Sequence, residues 1–419
     1  MGKASIICKR VLPLLLVSAI PLVTACAETT MAQAPAAAQE QPKPDFEQWL
    51  DGVRQEALTR GISAGTLDRA FQGVAPLDRV LELDRRQPEF TQSFWSYLDR
   101  AISDTRVDKG KALLAQHAAM LNRIEAQFGV QPRFLVAFWG LETNFGENLG
   151  GFPVIGALAT LAHDPRRSDF FRAELMAALS ILEAGDIDPQ TMMGSWAGAM
   201  GQPQFMPTTF VRFATDGNGD GHRDIWTSLP DVFASASNFL KNLGWDGQQT
   251  WGREVVLPAG FDIELADLKI RKPISEWQKL GIRRPGGAPL PQAEFDASVV
   301  LPAGATGPAF LVYGNFRAIL GWNRSILYAV AVGHLADRFV GAEPFQAKRP
   351  AGDERLNRDE VVAMQEALAR LGFDAGTPDG IVGAQTREAL KGFQRSRSLP
   401  PDGYPTPGLV RQLRAAAGN

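Results

Sequence analysis

A chain of 419 residues, 45% hydrophobic and 21% charged, has the apolar content for two or three domains with a sizeable buried core, which excludes a disordered protein. The formal charge is −3, and the first 25 residues hold Lys3, Lys9 and Arg10 but no acid, so the remainder is more acidic still. A mildly acidic body excludes binding of nucleic acid by bulk electrostatics, and no nucleic-acid partner is expected.

The basic start is followed by an apolar run, residues 11–25, too short for a membrane span and suited to an export signal. It ends in Leu22-Val23-Thr24-Ala25-Cys26, which resembles a bacterial lipobox, with Cys26 the lipidated residue and a lipid anchor in the membrane; cleavage near Ala25 or Ala27 without lipidation is the alternative. Ala27 lacks the acid that favours inner-membrane retention, so the resemblance implies a periplasmic, outer-membrane lipoprotein of a Gram-negative bacterium. The only two cysteines are Cys8 and Cys26, so the mature body has no internal disulfide and relies on its apolar core. Residues 26–44, rich in Ala, Gln, Pro and Thr, read as a flexible tether.

From residue 45 to about 245 the text is mostly helical, with Phe46, Leu50, Val53 and Ala57, and again Leu113, Leu114, Met120, Leu121 and Ile124, at helical spacing. Residues 252–312 turn to Pro, Gly and short extended runs, a small β-rich insertion. Helical text returns over 316–339, and Pro344, Pro350 and Gly352 mark a linker at 343–356. Beyond it, 357–415 reads as three short helices: Asn357 and Glu360 make a capping-box start, Val361, Met364, Leu368 and Leu371 form a stripe, and Thr406-Pro407 supplies an N-cap and first-turn proline. Asp379, Gly380, Gly383, Thr386, Ala389, Leu390, Phe393 and Gln394 give this unit a resemblance to the peptidoglycan-binding repeat domain, a signal for the fold first and the ligand second.

The stretch FWGLETNFG, 138–146, sets Glu142 among Phe138, Trp139, Leu141 and Phe145. With Pro132 in a first helical turn, Phe134, Phe138, Leu141 and Phe145 would share a face, with Glu142 one turn beyond Phe138 and Trp139. Partial desolvation there would raise the carboxyl pKa, as a general acid needs; an exposed or Arg-paired glutamate on an amphipathic helix is the commoner arrangement. Residues 45–342 resemble the lytic murein transglycosylase B family at several separate points: the segment beginning GLETNFG, the loop GSWAGAMGQPQFMPTTF at 194–210, and NFRAILGWNRSILYAVAVGHLAD at 315–337.

That resemblance implies a mainly α, lysozyme-like α+β catalytic core with the β insertion, joined to the C-terminal three-helix bundle. It implies Glu142 as the single catalytic acid, with Ser195, Gln204, Asn323 and Tyr328 bordering the cleft and Arg166 and Arg167 binding the acidic muropeptide. Ser195, Gln204 and Asn323 could equally satisfy buried backbone, and an adjacent arginine pair is commonly a solvated one. No second acid sits in the matched segments, unlike the carboxylate pair of ordinary glycosidases. The implied reaction is cleavage of the β-1,4 bond between N-acetylmuramic acid and N-acetylglucosamine with a 1,6-anhydromuramyl product, on peptidoglycan glycan strands and in company with cell-wall synthases or hydrolases. A hydrolytic muramidase and a non-catalytic wall-binding scaffold are the alternatives.

No cofactor is required by this chemistry. The loop DGNGDGHRDIWT, 216–227, places Asp216, Asn218 and Asp220 at the first, third and fifth positions of a calcium loop, with the His222 carbonyl at the seventh. Thr227 replaces the usual twelfth-position Glu, and Asp231 is a candidate later ligand for a structural Ca2+, against a turn that needs no metal. The four histidines form no metal-ligand pair, and no Ser-His-Asp or phosphate-loop pattern is present.

Overall fold

The helical periodicity of the first part of the chain becomes a layered set of helices wrapped around one that is apolar on nearly every side. The computed structural model describes residues 45–86, 93–349 and 356–418; the expected export signal, Cys26 and the tether lie outside them. In chain order the helices of the larger part are α1 (Phe46–Thr59), α2 (Ala64–Ala70), α3 (Asp78–Arg86), α4 (Phe94–Ala101), α5 (Asp104–Gln116), α6 (Ala118–Phe128), α7 (Pro132–Thr143), α8 (Val154–His163), α9 (Ser168–Ala184), α10 (Pro207–Phe213), α11 (Leu229–Asn242), α12 (Ile274–Lys279), α13 (Gly314–Trp322) and α14 (Ile326–Phe339). Among the described residues, no helix is long and apolar enough to cross a membrane.

Helix α7 is the central one. Pro132 opens it at a position where the missing N–H costs nothing, and Phe134 to Gly140 are all buried. The expected one-sided stripe is therefore absent, because α4, α5, α11 and α14 surround the helix and their apolar side chains form one core with it. Phe145 lies beyond the helix end, not on its face. Gly110 lets α5 approach α14: a Cβ there would stand 2.1 Å from the Phe339 ring. A second core joins α8 and α9 to α1, α2 and α3.

Two helical runs read as continuous in the sequence are broken. His117, at φ −101° and ψ 12°, ends α5 and begins α6. Asn323, at φ −138° and ψ 121°, ends α13; its side chain accepts from Ser325 N at 3.1 Å, and Ser325 caps α14 through Tyr328 N at 3.3 Å. At the second break local side-chain acceptors compete with the helix ladder, and at neither does apolar periodicity alone show the interruption.

Two short strands, β1 (Phe152–Pro153) and β2 (Met193–Gly194), pair antiparallel, and Met200 bridges Gly194 and Phe205, which folds the 194–205 loop onto the segment after α7. The sheet between Gly252 and Val312 has β3 (Gly252–Val255), β4 (Lys272–Pro273), β5 (Asp296–Val300) and β6 (Ala309–Val312) in the antiparallel order β3-β6-β5-β4. It has a core of its own around Trp277, Val299 and Leu311.

The C-terminal helices, α15 (Arg358–Arg370), α16 (Ala384–Ser396) and α17 (Pro407–Ala416), enclose Met364, Leu368, Leu390, Phe393 and Leu413. The capping box at Asn357 forms in both directions, Glu360 N to Asn357 Oδ1 at 2.9 Å and Asn357 N to Glu360 Oε2 at 2.7 Å. The bundle abuts the larger part: Asp402 accepts from Ala305 N in the β5–β6 connection at 2.7 Å while also holding Gln394 Nε2 at 2.6 Å and Tyr404 N at 2.9 Å. The first half of the expected linker is strapped down. Phe345 stacks on His334 at 3.7 Å, and the amides of Gln346 and Ala347 donate to Glu254 at 2.8 and 2.7 Å. A linker composition of Pro and Gly does not reveal such backbone anchors, which depend on an acid more than 90 residues upstream.

Candidate active site

Three helices meet at Glu142. It occupies the last turn of α7, and the break after α13 sends Trp322 and Tyr328 toward it from opposite sides of residues 323–325. Trp322 Nε1 donates to Glu142 Oε1 at 2.8 Å, and the Tyr328 hydroxyl donates to the same oxygen. The Trp322 ring is itself fixed by Phe138 at 4.5 Å, Phe239 at 5.2 Å and Phe205 at 5.3 Å.

The electrostatics follow from this enclosure. Glu142 is half-buried, with dense protein around it and an edge open to solvent. Burial lifts its carboxyl to about 7, opposed by the bonds from Tyr328 and Trp322, which favour the ionised form. Tyr97 on α4 is pushed up to about 12 by its burial and then by the negative charge of Glu142, and Tyr328 is raised well above the phenol range for the same two reasons. Both phenols stay protonated, so they can act as donors and not as bases.

Beyond Thr143 the chain turns through three left-handed residues, Asn144 (φ 53°), Phe145 (φ 64°) and Gly146 (φ 82°). Phe145 N donates to Trp139 O at 3.1 Å, closing the helix, and Gly150 sits so close to Gly194 that a Cβ would lie 2.1 Å from its carbonyl. Asn144 and Phe145 lack glycine's freedom, and such a run persists only where surrounding bonds enforce it.

The other residues singled out in the sequence fall in distinct places. Ser195 Oγ accepts from Ala199 N at 3.1 Å, and Gln204, itself at φ 51°, donates through Nε2 to Gly201 O at 2.9 Å and Leu149 O at 3.2 Å. Both therefore shape the 194–205 loop and hold it against the segment following α7. Asn323 is exposed beside Trp322 and caps the turn into α14. Arg166 and Arg167 converge on the buried Asp84 of α3, Arg166 Nη1 at 3.0 Å from its carboxylate and 2.8 Å from its carbonyl. Neither arginine bonds Glu142; their side chains stay 44% and 39% exposed.

Trp322 and Tyr97 escaped the sequence reading. Trp322 lies next to Asn323 in LGWNRS, but nothing local distinguishes an indole that donates to an acid 180 positions away from one that only packs.

The 216–231 loop gathers acids. Asp216, Asp220 and Asp231 each offer a carboxylate oxygen within 4.8 Å of the others. Asp216 accepts from Gly219 N at 2.6 Å and Gly221 N at 2.8 Å, which hold its carboxyl below the usual range. Asp231 is fully buried at the start of α11 and takes the amides of Gly217 and Asp224 at 2.9 and 2.8 Å. Asn218 Nδ2 reaches Asp220 at 2.8 Å, and His222 is exposed with its amide on Asp220. Hard oxygen donors on a loop closed by a buried acid suit a cation of the calcium type.

Comparison with known proteins bears on the whole of this arrangement. The Transglycosylase SLT domain family matches residues 45–337, and a peptidoglycan binding domain matches 357–413. The membrane-bound lytic murein transglycosylase B of Escherichia coli K12 is 30% identical over 307 residues, covering 70% of this chain and 81% of that protein. SltB3 of Pseudomonas aeruginosa, solved in complex with NAG-anhNAM-pentapeptide, superposes with a TM-score of 0.85 at 51% identity, covering 88% of this chain and 99% of that one. Slt35 of Escherichia coli in complex with calcium gives a TM-score of 0.60 at 29% identity, over 71% and 93% of the two chains. An acid held by a tryptophan and a tyrosine at the end of a buried helix is thus set in the lysozyme-like fold of the transglycosylase SLT family, to which this chain belongs as a lytic transglycosylase of the B type.

Proposed function

We propose that Glu142 is the single acid and base of this lytic transglycosylase, cleaving the β-1,4 bond between N-acetylmuramic acid and N-acetylglucosamine. The observation that carries the reading is the convergence of Trp322 and Tyr328 on one oxygen of a carboxyl whose pKa is about 7. With two donors on Oε1, the proton of the neutral acid resides on Oε2. Glu142 gives that proton to the glycosidic oxygen as the C1–O4 bond breaks. The muramyl N-acetyl group stabilises the developing cation, and the Glu142 carboxylate then takes the proton of the C6 hydroxyl as the C1–O6 bond forms. No water is consumed, and the aromatic wall of Phe138, Phe205 and Trp322 limits its access.

Ser195, Gln204, Asn323 and Tyr328 border the sugar-binding cleft in this reading, and the exposed edges of Arg166 and Arg167 receive muropeptide carboxylates. The domains run 1–25 for the signal, 26–44 for the tether, 45–342 for the catalytic part and 357–415 for the wall-binding bundle. Cys26 carries the lipid that holds the enzyme at the periplasmic face of the outer membrane.

Mass spectrometry of products from purified sacculi tests the reaction. Wild type yields 1,6-anhydromuramyl ends and Glu142→Gln yields none; reducing ends would make the protein a hydrolase, and intact sacculus binding without products from wild type would make it a scaffold.

For the loop, we propose that Asp216, Asn218, Asp220, the His222 carbonyl and Asp231 hold a structural Ca2+, which would neutralise the gathered acids without entering the reaction. Calcium at about a hundred times its Kd then stabilises the fold by about 2.7 kcal/mol. Differential scanning calorimetry should show a melting temperature several degrees higher with calcium than with chelator, and no difference for Asp231→Asn. An unchanged wild-type melt, with no heat on titration, removes the site.

A further inference from the structure

Catalytic geometry requires that the end of α7 stay fixed relative to Trp322 and Tyr328, which belong to other helices. Thr143 follows the acid directly and precedes the left-handed run, so any relaxation of the turn moves Glu142 away from its two donors. What enforces the turn is the chain at Gln202.

We propose that Gln202 is a positioning residue for Glu142, clamping the left-handed turn at the end of α7 and tying it to the 216–231 loop. The proposal rests on Glu142 being the reacting acid. All four polar groups of Gln202 are engaged, two on each side. Toward α7, its Oε1 accepts from Trp139 Nε1 at 2.6 Å and its carbonyl accepts from Thr143 Oγ1 at 3.0 Å. Toward the loop, its Nε2 donates to Trp226 O at 2.8 Å and its amide donates to Ile225 O at 2.8 Å.

The α7 side is a closed circuit. Thr143 Oγ1 accepts from Gly146 N at 3.1 Å, spanning the turn, while Trp139 O accepts from Phe145 N at 3.1 Å. Trp139 and Thr143 therefore grip both ends of the 144–146 segment, and Gln202 grips both of them. Gly146 is pressed against the clamp: a Cβ there would lie 2.6 Å from Gln202 Oε1. Gln202 is 8% exposed, Trp139 6% and Thr143 1%, so water does not replace these bonds when one is removed. Trp139 is wedged by Phe145 and Phe233 at 5.6 and 5.3 Å, which transmits its position to the turn.

Gln202→Met keeps the length of the side chain and removes both carboxamide bonds. On soluble glycan strands, the mature protein with this substitution should lose about 10²-fold in kcat with KM within about twofold, the response expected of an angstrom-scale misplacement of the acid. The alkaline limb of kcat/KM should also move up in pH, because Glu142 draws away from the two donors that favour its ionised form. The titratable and charged groups around the acid are unchanged by the substitution: Tyr97 of α4 and Tyr328 of α14 face it, Arg100 and Arg106 act on Tyr97, and His117 packs edge-on to Trp139.

Trp139→Phe, which removes the same bond from the other side, should reproduce the loss, and the double variant should be no worse than the poorer single one. It also decides the matter if Gln202→Met does not fold. A lower melting temperature with wild-type kcat and an unmoved limb would overturn the proposal, as would strictly additive losses. A wild type that forms no anhydro ends would instead sink the proposed reaction itself, a result visible before any Gln202 variant is made.

Discussion

Glu142→Gln should reduce kcat on purified sacculi by at least 10³-fold, roughly, while leaving binding to the sacculus within about twofold of wild type. General acid or base catalysis alone contributes about 10² to 10⁴, and in the proposed reaction one residue serves in both halves. The amide keeps an oxygen for Trp322 and Tyr328 to donate to, so the surrounding bonds survive the loss of the proton.

The same substitution has a stability signature of opposite sign. Because the folded carboxyl sits at about 7, above its ordinary value of 4.5, the unfolded chain ionises first as pH rises. Wild-type stability therefore falls between those two values and stays lowered above the folded one. Glu142→Gln removes that penalty: its melting temperature should exceed wild type by a few degrees at pH 8 and match it near pH 4. Partial exposure of the carboxyl reduces the gain to about 1–2 kcal/mol. A variant that is both inactive and less stable at pH 8 would argue that Glu142 is a structural acid.

Tyr328→Phe is the second large effect, and it separates the donor from the acid. The hydroxyl bond favours the ionised carboxylate, so its removal raises the Glu142 pKa further. The alkaline limb of kcat/KM, near pH 7 in wild type, should move up by about one unit, since a bond to a charged group is worth about 1.5–3 kcal/mol and Trp322 retains the other. In the same profile kcat should fall about tenfold or more, because the carboxylate that must take the C6 proton is less stabilised and less well held. A limb that stays near 7 would remove Tyr328 from the control of the acid.

Much of the fold is legible because it is written locally. The bundle is set by a capping box, a Thr-Pro helix start and stripes of one period, all within a few residues, and these features form as read. Glu142 itself is legible from the aromatic text beside it together with the family resemblance. Its bonds are less so: Tyr328 is placed beside the cleft by the resemblance alone and Trp322 not at all, because both reach the acid only where the chain breaks at Asn323, inside a run whose apolar spacing continues through the break. The same limit applies to Gln202, whose four bonds all go to residues distant in sequence. Arg166 and Arg167 show the converse, a motif visible in the sequence whose charge is shared with Asp84, an acid that composition gives no reason to single out.

The hydrogen bond from Ala305 to Asp402 changes what the C-terminal bundle can contribute. A binding unit on a leash raises local concentration by averaging over every position the leash allows, and its benefit falls as the leash lengthens. Joined to the β5–β6 connection and approached through a strapped 343–349 segment, the bundle instead stands at a fixed offset from the sheet. Grip on one part of the wall then selects a direction as well as a neighbourhood. A bundle that binds glycan from that offset would set the distance between the strand it holds and the strand at Glu142.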